Sequence, residues 1–505
     1  MALSRVDFPD PEAPTMTQRA PRATENVTSW STSTRDSPAP KCRDNPSTRT
    51  CGVGVWVTPP VLHPTKTPLA LHTCTGDRQS PSAPWGGRYA RCMSVDSVDR
   101  RVSHRPGEAS SPAAELVGNV WHLRTTEAVR QILREKDATT QAGFSAELMP
   151  DSIGERPILF MDGDEHRRQR TKVARFFAPK TVTNRYRRLM EERADALVAD
   201  ALAATTFRLD DLSLQYSTEV AAQVIGLTNS NAKGMARRLE RLFAQPDWSP
   251  GSTPEGPLRS VWRSVRSHAP MAAFHLADVR PAIAARRKAP GEDVISHLLA
   301  EGYREPAILI ECVTYGAAGM ATTREFISMT VLPLLADADL RARYLAGEEE
   351  ERFDILHEIL RLEPIIGHLY RRAARDLDLT VDGETVAIRR GQLIDLYVRQ
   401  ANSDASTVGE CPLDMRPGRP LPRGIGPEVM SFGDGHHKCP GNSLAIQETD
   451  ILLTRLLRHE LVVAKAPVMH WEDLTAGYAL REFVLTTPKP PLPVLAVSDE
   501  RRGPG

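Results

Sequence analysis

One eleven-residue stretch constrains this chain more than any other: Ser431-Phe432-Gly433-Asp434-Gly435-His436-His437-Lys438-Cys439-Pro440-Gly441. A polar loop with spaced glycines carries a single cysteine. Pro440 follows, then a run of helical period through Leu444, Ala445, Glu448, Ile451, Leu452 and Leu456. Proline is favoured at the first helical position, where its missing N–H would have been unpaired. This spacing places Cys439 at or near a helix N-cap, where free N–H groups and the helix dipole favour thiolate over thiol. Gly433 and Gly435 let the backbone approach a flat partner where a Cβ would clash. Three readings fit such a loop. It holds a thiolate ligand for a bulky group, a small buried cysteine, or a catalytic cysteine beside a histidine. Half a zinc site is disfavoured, because no second ligand pair follows at finger spacing.

The stretch resembles the haem-binding loop of the cytochrome P-450 family, Phe-Gly-x-Gly-x-His-x-Cys-x-Gly. Phe432, Gly433, Gly435, His437, Cys439 and Gly441 fill every fixed position. The resemblance implies that Cys439 is the axial ligand of the haem iron and that His437 lies near a haem propionate. A thiolate ligand pushes electron density onto iron and favours O–O cleavage. The implied cofactor is haem b held without covalent bonds, since no Cys-x-x-Cys-His attachment motif occurs.

Three further motifs occur in the family's order. His166 and Arg170, in Met161-Asp162-Gly163-Asp164-Glu165-His166-Arg167-Arg168-Gln169-Arg170, are four apart and share a helix face. Alone, such a basic run reads as a solvated face. Beside the cysteine loop it resembles the family helix whose His-x-x-x-Arg contacts a propionate. Pro306 to Leu335 reads as one long helix, apolar on most sides and so central. It contains Gly316-Ala317-Ala318-Gly319-Met320-Ala321-Thr322-Thr323. Glycine in a helix interior costs about 1 kcal/mol against alanine, tolerable where something approaches the backbone. Thr322 is placed to bond back to the Ala318 carbonyl and bend the helix. Pro333 is expected to kink or shorten it. The run resembles the family's oxygen-binding segment, which implies roles for Ala318, Gly319 and Thr322. The acidic position of that segment is Ala321, which has no proton to relay. Three substitutes stand open: ordered water fed by Thr322, Glu325 at about 6 Å along the face, or a substrate group.

His357-Glu358-Ile359-Leu360-Arg361 carries Glu-x-x-Arg, a pair that meets at i,i+3. By resemblance it forms an internal lock with Arg416, in Leu413-Asp414-Met415-Arg416. The spacing of Tyr370-Arg371-Arg372 to Asp376 favours Arg371 as another propionate contact. Ala401-Asn402-Ser403-Asp404 resembles a family corner. Short strands are predicted up to Val398, and again between His459 and Val497, with a pocket-edge loop near Ala476–Leu480.

Residues 1 to 112 differ in composition. They hold 15 of the 40 prolines and four of the seven cysteines. No period of 3.6 or 2 is sustained, so a disordered leader is expected. Met93 opens more ordinary sequence and is a candidate true start. The expected organisation is one catalytic domain over 113–497 and a disordered tail over 498–505. Its fold is mainly helical with a small β region, a helical prism enclosing haem.

Lysine and arginine equal aspartate and glutamate at 64 each, so bulk charge points to no nucleic acid. No apolar run of spanning length occurs, and scattered cysteines suit a reducing cytosol. The resemblance implies a soluble, monomeric, bacterial-type haem-thiolate monooxygenase acting on a small organic molecule. Ferredoxin and ferredoxin reductase are the expected electron donors, with Lys438 and Arg423 on the candidate docking face. Two other readings are a peroxide-driven enzyme of the same fold and a haem-binding module without catalysis.

Overall fold

The computed structural model describes residues 112–143, 156–243, 269–472 and 475–488. The expectations for the leader, for Met93 and for the tail lie outside the described residues.

The chain enters as a hairpin, β1 (Ala114–Val117) and β2 (Val120–Leu123). Helix α1 (Thr126–Arg134) follows, with the Thr125 hydroxyl accepting the Ala128 N–H at its start. Its Ala128, Val129, Ile132 and Leu133 recur at three and four residues, which buries one face. The first sheet is completed from far along the chain by β3 (Thr139–Ala142), β5 (His368–Ala373) and β8 (Leu393–Tyr397), in the order β1-β2-β8-β5-β3. Only β2 and β8 pair in parallel, with Val120 opposite Leu393. Strands β6 (Leu377–Val381) and β7 (Glu384–Ile388) form a separate hairpin.

Helices make up the rest of the core. These are α2 (Gly163–Phe177), α3 (Arg187–Ala204), α4 (Leu209–Ile225), α5 (Ala232–Phe243), α6 (Arg280–Lys288) and α7 (Val294–Ala300). The predicted central helix is present as α8 (Glu305–Gly316) and α9 (Thr322–Ala336), joined by a π-type turn at Ala317–Ala321. Its interior position explains its composition, since Ile308, Cys312, Met320, Phe326 and Ile327 are all buried. The π-turn was not anticipated. It lies where Gly316 and Gly319 remove side chains: a Cβ on Gly316 would stand 3.3 Å from Leu239, and one on Gly319 3.4 Å from the Cβ of Ala221. Both glycines therefore serve close helix packing. The helix runs past Pro333 to Ala336, where Asp337 caps α10 (Ala338–Ala346).

Helix α11 (Glu349–Leu362) precedes β5, and α12 (Asn442–Leu456) follows the cysteine loop. The last strands are β9 (Val462–Lys465), β10 (Val468–Glu472), β11 (Gly477–Arg481) and β12 (Val484–Thr486), the last of which also pairs antiparallel with β4 (Thr206–Arg208). The expected loop near Ala476–Leu480 is thus mostly strand β11, paired with β10. Among the described residues no helix is long and apolar enough to cross a membrane.

Candidate active site

The cysteine loop is built by backbone hydrogen bonds. The Cys439 N–H donates to the Phe432 carbonyl at 2.9 Å, Gly433 N–H to Met430 at 2.8 Å and Lys438 N–H to Gly435 at 3.2 Å. Gly433 and Gly435 have φ of +68° and +67°, a region that costs other residues about 1–2 kcal/mol. The close approach at Gly435 is to protein: a Cβ there would stand 2.2 Å from the Leu133 carbonyl of α1. Between the glycines, Asp434 meets Arg130 and Arg134 at 2.9 Å each. Burial opposes its ionised form, yet Arg134, the Gly435 N–H and Arg130 hold its carboxyl below the usual range. The loop is therefore clamped onto α1.

One local expectation is corrected. Helix α12 starts at Asn442 with Gly441 as its N-cap, so Cys439 lies two residues earlier and Pro440 is not the first helical residue. Burial pushes the Cys439 thiol up, and the Gly441 N–H, Arg170 and Lys438 pull against that. The loop alone does not make a thiolate; a bound metal ion would, because a coordinating thiol is deprotonated outright.

Around the loop stands a buried rim of basic groups. His166 is stacked on His437 with ring centroids 4.0 Å apart, and His436 is 5.8 Å from His166. Burial, with His437 and Arg170 nearby, drives His166 down to about 3, and burial with His437 drives His436 down to about 4. Arg371 is 2% exposed, and burial lowers it to about 10 against the pull of Asp162. Its Nη1 donates to the Gln141 side chain and to the Tyr370 carbonyl, while its Nε has no hydrogen-bond partner. Arg170 donates to the Lys438 carbonyl and lies within electrostatic reach of both Cys439 and Tyr315. It thereby joins the loop, α2 and the central helix around one centre. The carboxylate of Asp162 is 3.5 Å from His437 Nε2 and also accepts the Gln141 N–H at 3.2 and 3.0 Å. The histidines of the rim are thus held neutral, and its two guanidiniums, Arg170 and the buried Arg371, face the single carboxylate of Asp162, an excess of positive charge that calls for anionic partners. The two propionates of a haem supply them, and Cys439 supplies the axial sulfur, so these residues fit that cofactor. Asp162, His436 and His437 also offer ligand atoms within 4.8 Å of one another; these lie in the same rim and define no separate centre.

On the central helix the Thr322 hydroxyl donates to the Ala318 carbonyl at 2.6 Å, as expected. The Ser217 hydroxyl of α4 donates to the Met320 carbonyl at 2.8 Å, satisfying an acceptor within the π-turn. Glu325 is taken by other partners. Arg481 Nη1 donates to it at 2.7 and 2.8 Å, Arg324 Nε at 2.9 Å and the Leu480 N–H at 3.3 Å. Both oxygens of Glu325 are engaged by these partners, which argues against it among the three substitutes for the missing acid.

The internal lock is present with one exchange. Glu358 and Arg361 pair at 2.7 and 2.8 Å, 3% and 0% exposed. Arg416 reaches Glu358 only through its backbone N–H, at 2.9 Å, and its side chain is exposed. The third guanidinium belongs to Arg419, whose Nε is 3.6 Å from Glu358 and whose Nη atoms bind the carbonyls of Val408, Glu410, Cys411 and Asp414. Sequence reasoning also missed the full part of Asn402. It receives Arg361 Nη1 at its carbonyl, and its side chain bonds the Arg361 carbonyl, the Ser431 hydroxyl and the Met430 N–H at 2.8–3.0 Å. This ties α11 to the cysteine loop. Arg423 is exposed, and Lys438 pairs with Glu428 at 2.8 Å.

A cysteine loop locked to α1 and α11, a rim of basic groups and a central helix with a π-type turn fit a haem-thiolate protein. The family model described as Cytochrome P450 matches residues 354–468. The Biotin biosynthesis cytochrome P450 of Bacillus subtilis (strain 168) is 27% identical over 309 residues, covering 60% of this chain and 72% of that protein. The Mycinamicin VIII C21 methyl hydroxylase of Micromonospora griseorubida is 27% identical over 351 residues, covering 67% and 82%. The crystal structure of CalO2 shares the fold with a TM-score of 0.64 at 21% identity, covering 79% of this chain and 98% of that one. The family model and these relatives make the chain similar to the bacterial cytochromes P450, oxidoreductases that bind haem b through a cysteine thiolate.

Proposed function

We propose that the protein is a monooxygenase that inserts one atom of dioxygen into a small organic substrate, with electrons delivered by a separate ferredoxin and its reductase. The observation that carries this reading is Cys439, half-buried and hydrogen-bonded into a loop that Arg170 joins to the rim of basic groups. When bound, the haem supplies oxygen activation. The protein's part would be to supply the axial sulfur from Cys439, to hold the propionates with His166, Arg170, Arg371 and His437, and to present the Thr322 hydroxyl from the helix after the π-type turn. Gly319 packs against Ala221, so its contribution is to seat that helix. Lys438 and Arg423 remain candidates for the donor's docking face.

Carbon monoxide added to the reduced protein should move the main absorption band to the long-wavelength position typical of thiolate ligation. Cys439→Ala should abolish that band; a colourless wild type, or an unchanged band in the variant, overturns the reading. A peroxide-driven enzyme is favoured by one specific observation, the lack of an acid at Ala321 together with the engagement of Glu325 by two arginines. Turnover with hydrogen peroxide and none with dioxygen, ferredoxin, its reductase and NADPH selects it.

A further inference from the structure

Glu311 of α8 is a carboxyl that the site described above does not use. It stands among the buried apolar residues Ile308 and Cys312 and is itself 3% exposed. Its Oε1 accepts the Ile158 N–H at 3.0 Å, while Oε2 has no hydrogen-bond partner. Among the described residues no cation acts on it. Burial pushes its carboxyl up to about 8, opposed only by the Ile158 N–H. Cys312 and Tyr315, on its own helix, are neutral groups that feel it. Arg170 of α2 acts on Tyr315, and Asp293 at the start of α7 acts on Cys312. His297 of α7 answers to Glu301, Arg175 and Lys172. From α4, Asp210 and Asp211 pair with Arg208 and Glu219 pairs with Arg193. His275, from the turn packed on α8, pairs with Glu305 at 2.7 Å.

Its place on the helix points toward the reacting centre. Glu311, Tyr315, Ala318 and Thr322 recur at intervals of four, three and four, the spacing of one helix face. Tyr315 is stacked on Phe177 of α2 with ring centroids 6.0 Å apart. It lies within electrostatic reach of Arg170, which donates to the Lys438 carbonyl beside Cys439. Ala318 is exposed and Tyr315 and Thr322 are partly so, although the helix is central, so protein covers this side only in part. Holding the Ile158 N–H takes one acceptor oxygen. The other is buried without a partner, a cost that a donor removes. No basic side chain of the described fold supplies that donor. A protonated amine on a ligand satisfies the free oxygen and offsets the buried negative charge in a single contact.

We propose that Glu311 selects substrates that carry a basic nitrogen, its Oε2 accepting a hydrogen bond from the protonated amine while Oε1 stays on the Ile158 N–H. From Glu311 to Thr322 the helix advances about 16 Å, so the nitrogen and the oxidised carbon of such a substrate stand on the order of 15 Å apart. The amine enters as its cation, the carboxyl proton leaves to solvent, and the bound pair is carboxylate and ammonium. One proton is therefore released per amine bound at neutral pH, and affinity rises with pH until the free carboxyl is already ionised, near 8. This inference deepens the functional reading above and rests on it for the reaction, while the selection itself is a binding property of the haem protein.

The test titrates the full-length ferric haem protein with N,N-dimethyldodecylamine, with the uncharged dodecan-1-ol and with the anion dodecanoate, reading the ligand-induced shift of the main haem absorption band. The amine should bind at least about tenfold more tightly than either comparator at pH 8, and its Kd should fall about tenfold from pH 6 to pH 7 and level off above pH 8. Calorimetry in two buffers of different ionisation enthalpy should return about one proton released at pH 7. Glu311→Gln should lose the preference, the pH slope and the proton release while binding dodecan-1-ol as wild type does. Should that variant fail to take up haem, Glu311→Asp, one methylene shorter, should weaken the amine by about tenfold and keep the slope. Equal Kd values for amine and alcohol overturn the proposal, as does an amine Kd that ignores pH. So do an equal loss of both ligands in a folded Glu311 variant and a band shift that reports the amine nitrogen on iron. A wild type that selects the amine yet shows no dioxygen-driven turnover refutes the functional reading instead, and the two failures are thereby told apart.

Discussion

Glu311 shows how one buried atom sets a measurable property. It lies on α8 with one oxygen accepting the Ile158 N–H at 3.0 Å and the other unpartnered, and burial pushes its carboxyl up to about 8. Between the unfolded value near 4.5 and about 8, the folded protein holds a proton that the unfolded chain has lost. Stability from this group is present below pH 4.5 and lost as pH rises through 8. Glu311→Gln should therefore flatten the fall in thermal midpoint between pH 5 and 8, with its largest gain over wild type at the alkaline end. A parallel pair of midpoint-against-pH curves would contradict this. At Gly435, a positive φ and the Leu133 carbonyl act together. Gly435→Ala should cost at least about 1–2 kcal/mol and lower haem occupancy, read from the ratio of haem to protein absorbance.

At the scale of elements, the cysteine loop is held by what α1 and α11 present to it. Arg130 and Arg134 of α1 grip Asp434, and Glu358 and Arg361 of α11 reach the loop through Asn402. Removing one partner of a buried ion pair costs about 3–5 kcal/mol because the other is stranded. Glu358→Ala and Arg419→Ala should give protein with little haem, whereas Arg416→Ala, an exposed side chain, should stay within about 0.5 kcal/mol of wild type in denaturant titration. Equal losses at 416 and 419 would return the lock to Arg416. The Glu-x-x-Arg spacing shows one helix face in any sequence, so this half of the lock was legible. Its third member was not, because Arg416 and Arg419 are three residues apart in irregular chain whose path no periodicity records.

For the molecule as a whole, one catalytic domain is expected from 113 to 497, and the site residues placed above lie among the described residues 112–143, 156–243, 269–472 and 475–488. A chain lacking residues 1–92 should keep the same carbon monoxide spectrum and thermal midpoint as the full chain. Loss of haem on that truncation would assign the leader a part in the fold. The same view explains the fate of Glu325. On the helix it sits within reach of the oxygen side, but β11, more than 150 residues later, brings Arg481 to it.

Spacing along the chain was enough to single out the candidate ligand and its neighbours, because Cys439, the loop glycines, His166 with Arg170, and the Glu358–Arg361 pair depend on spacings of ten residues or fewer. It also determined the central helix, whose apolar surface suits only the interior. Tertiary structure alone decided which guanidinium closes the lock, where α12 begins, that the central helix takes a π-turn at Ala317–Ala321, and which carboxyls are spoken for. Those outcomes depend on desolvation and on partners brought from distant segments. Neither quantity is carried by local order along the chain.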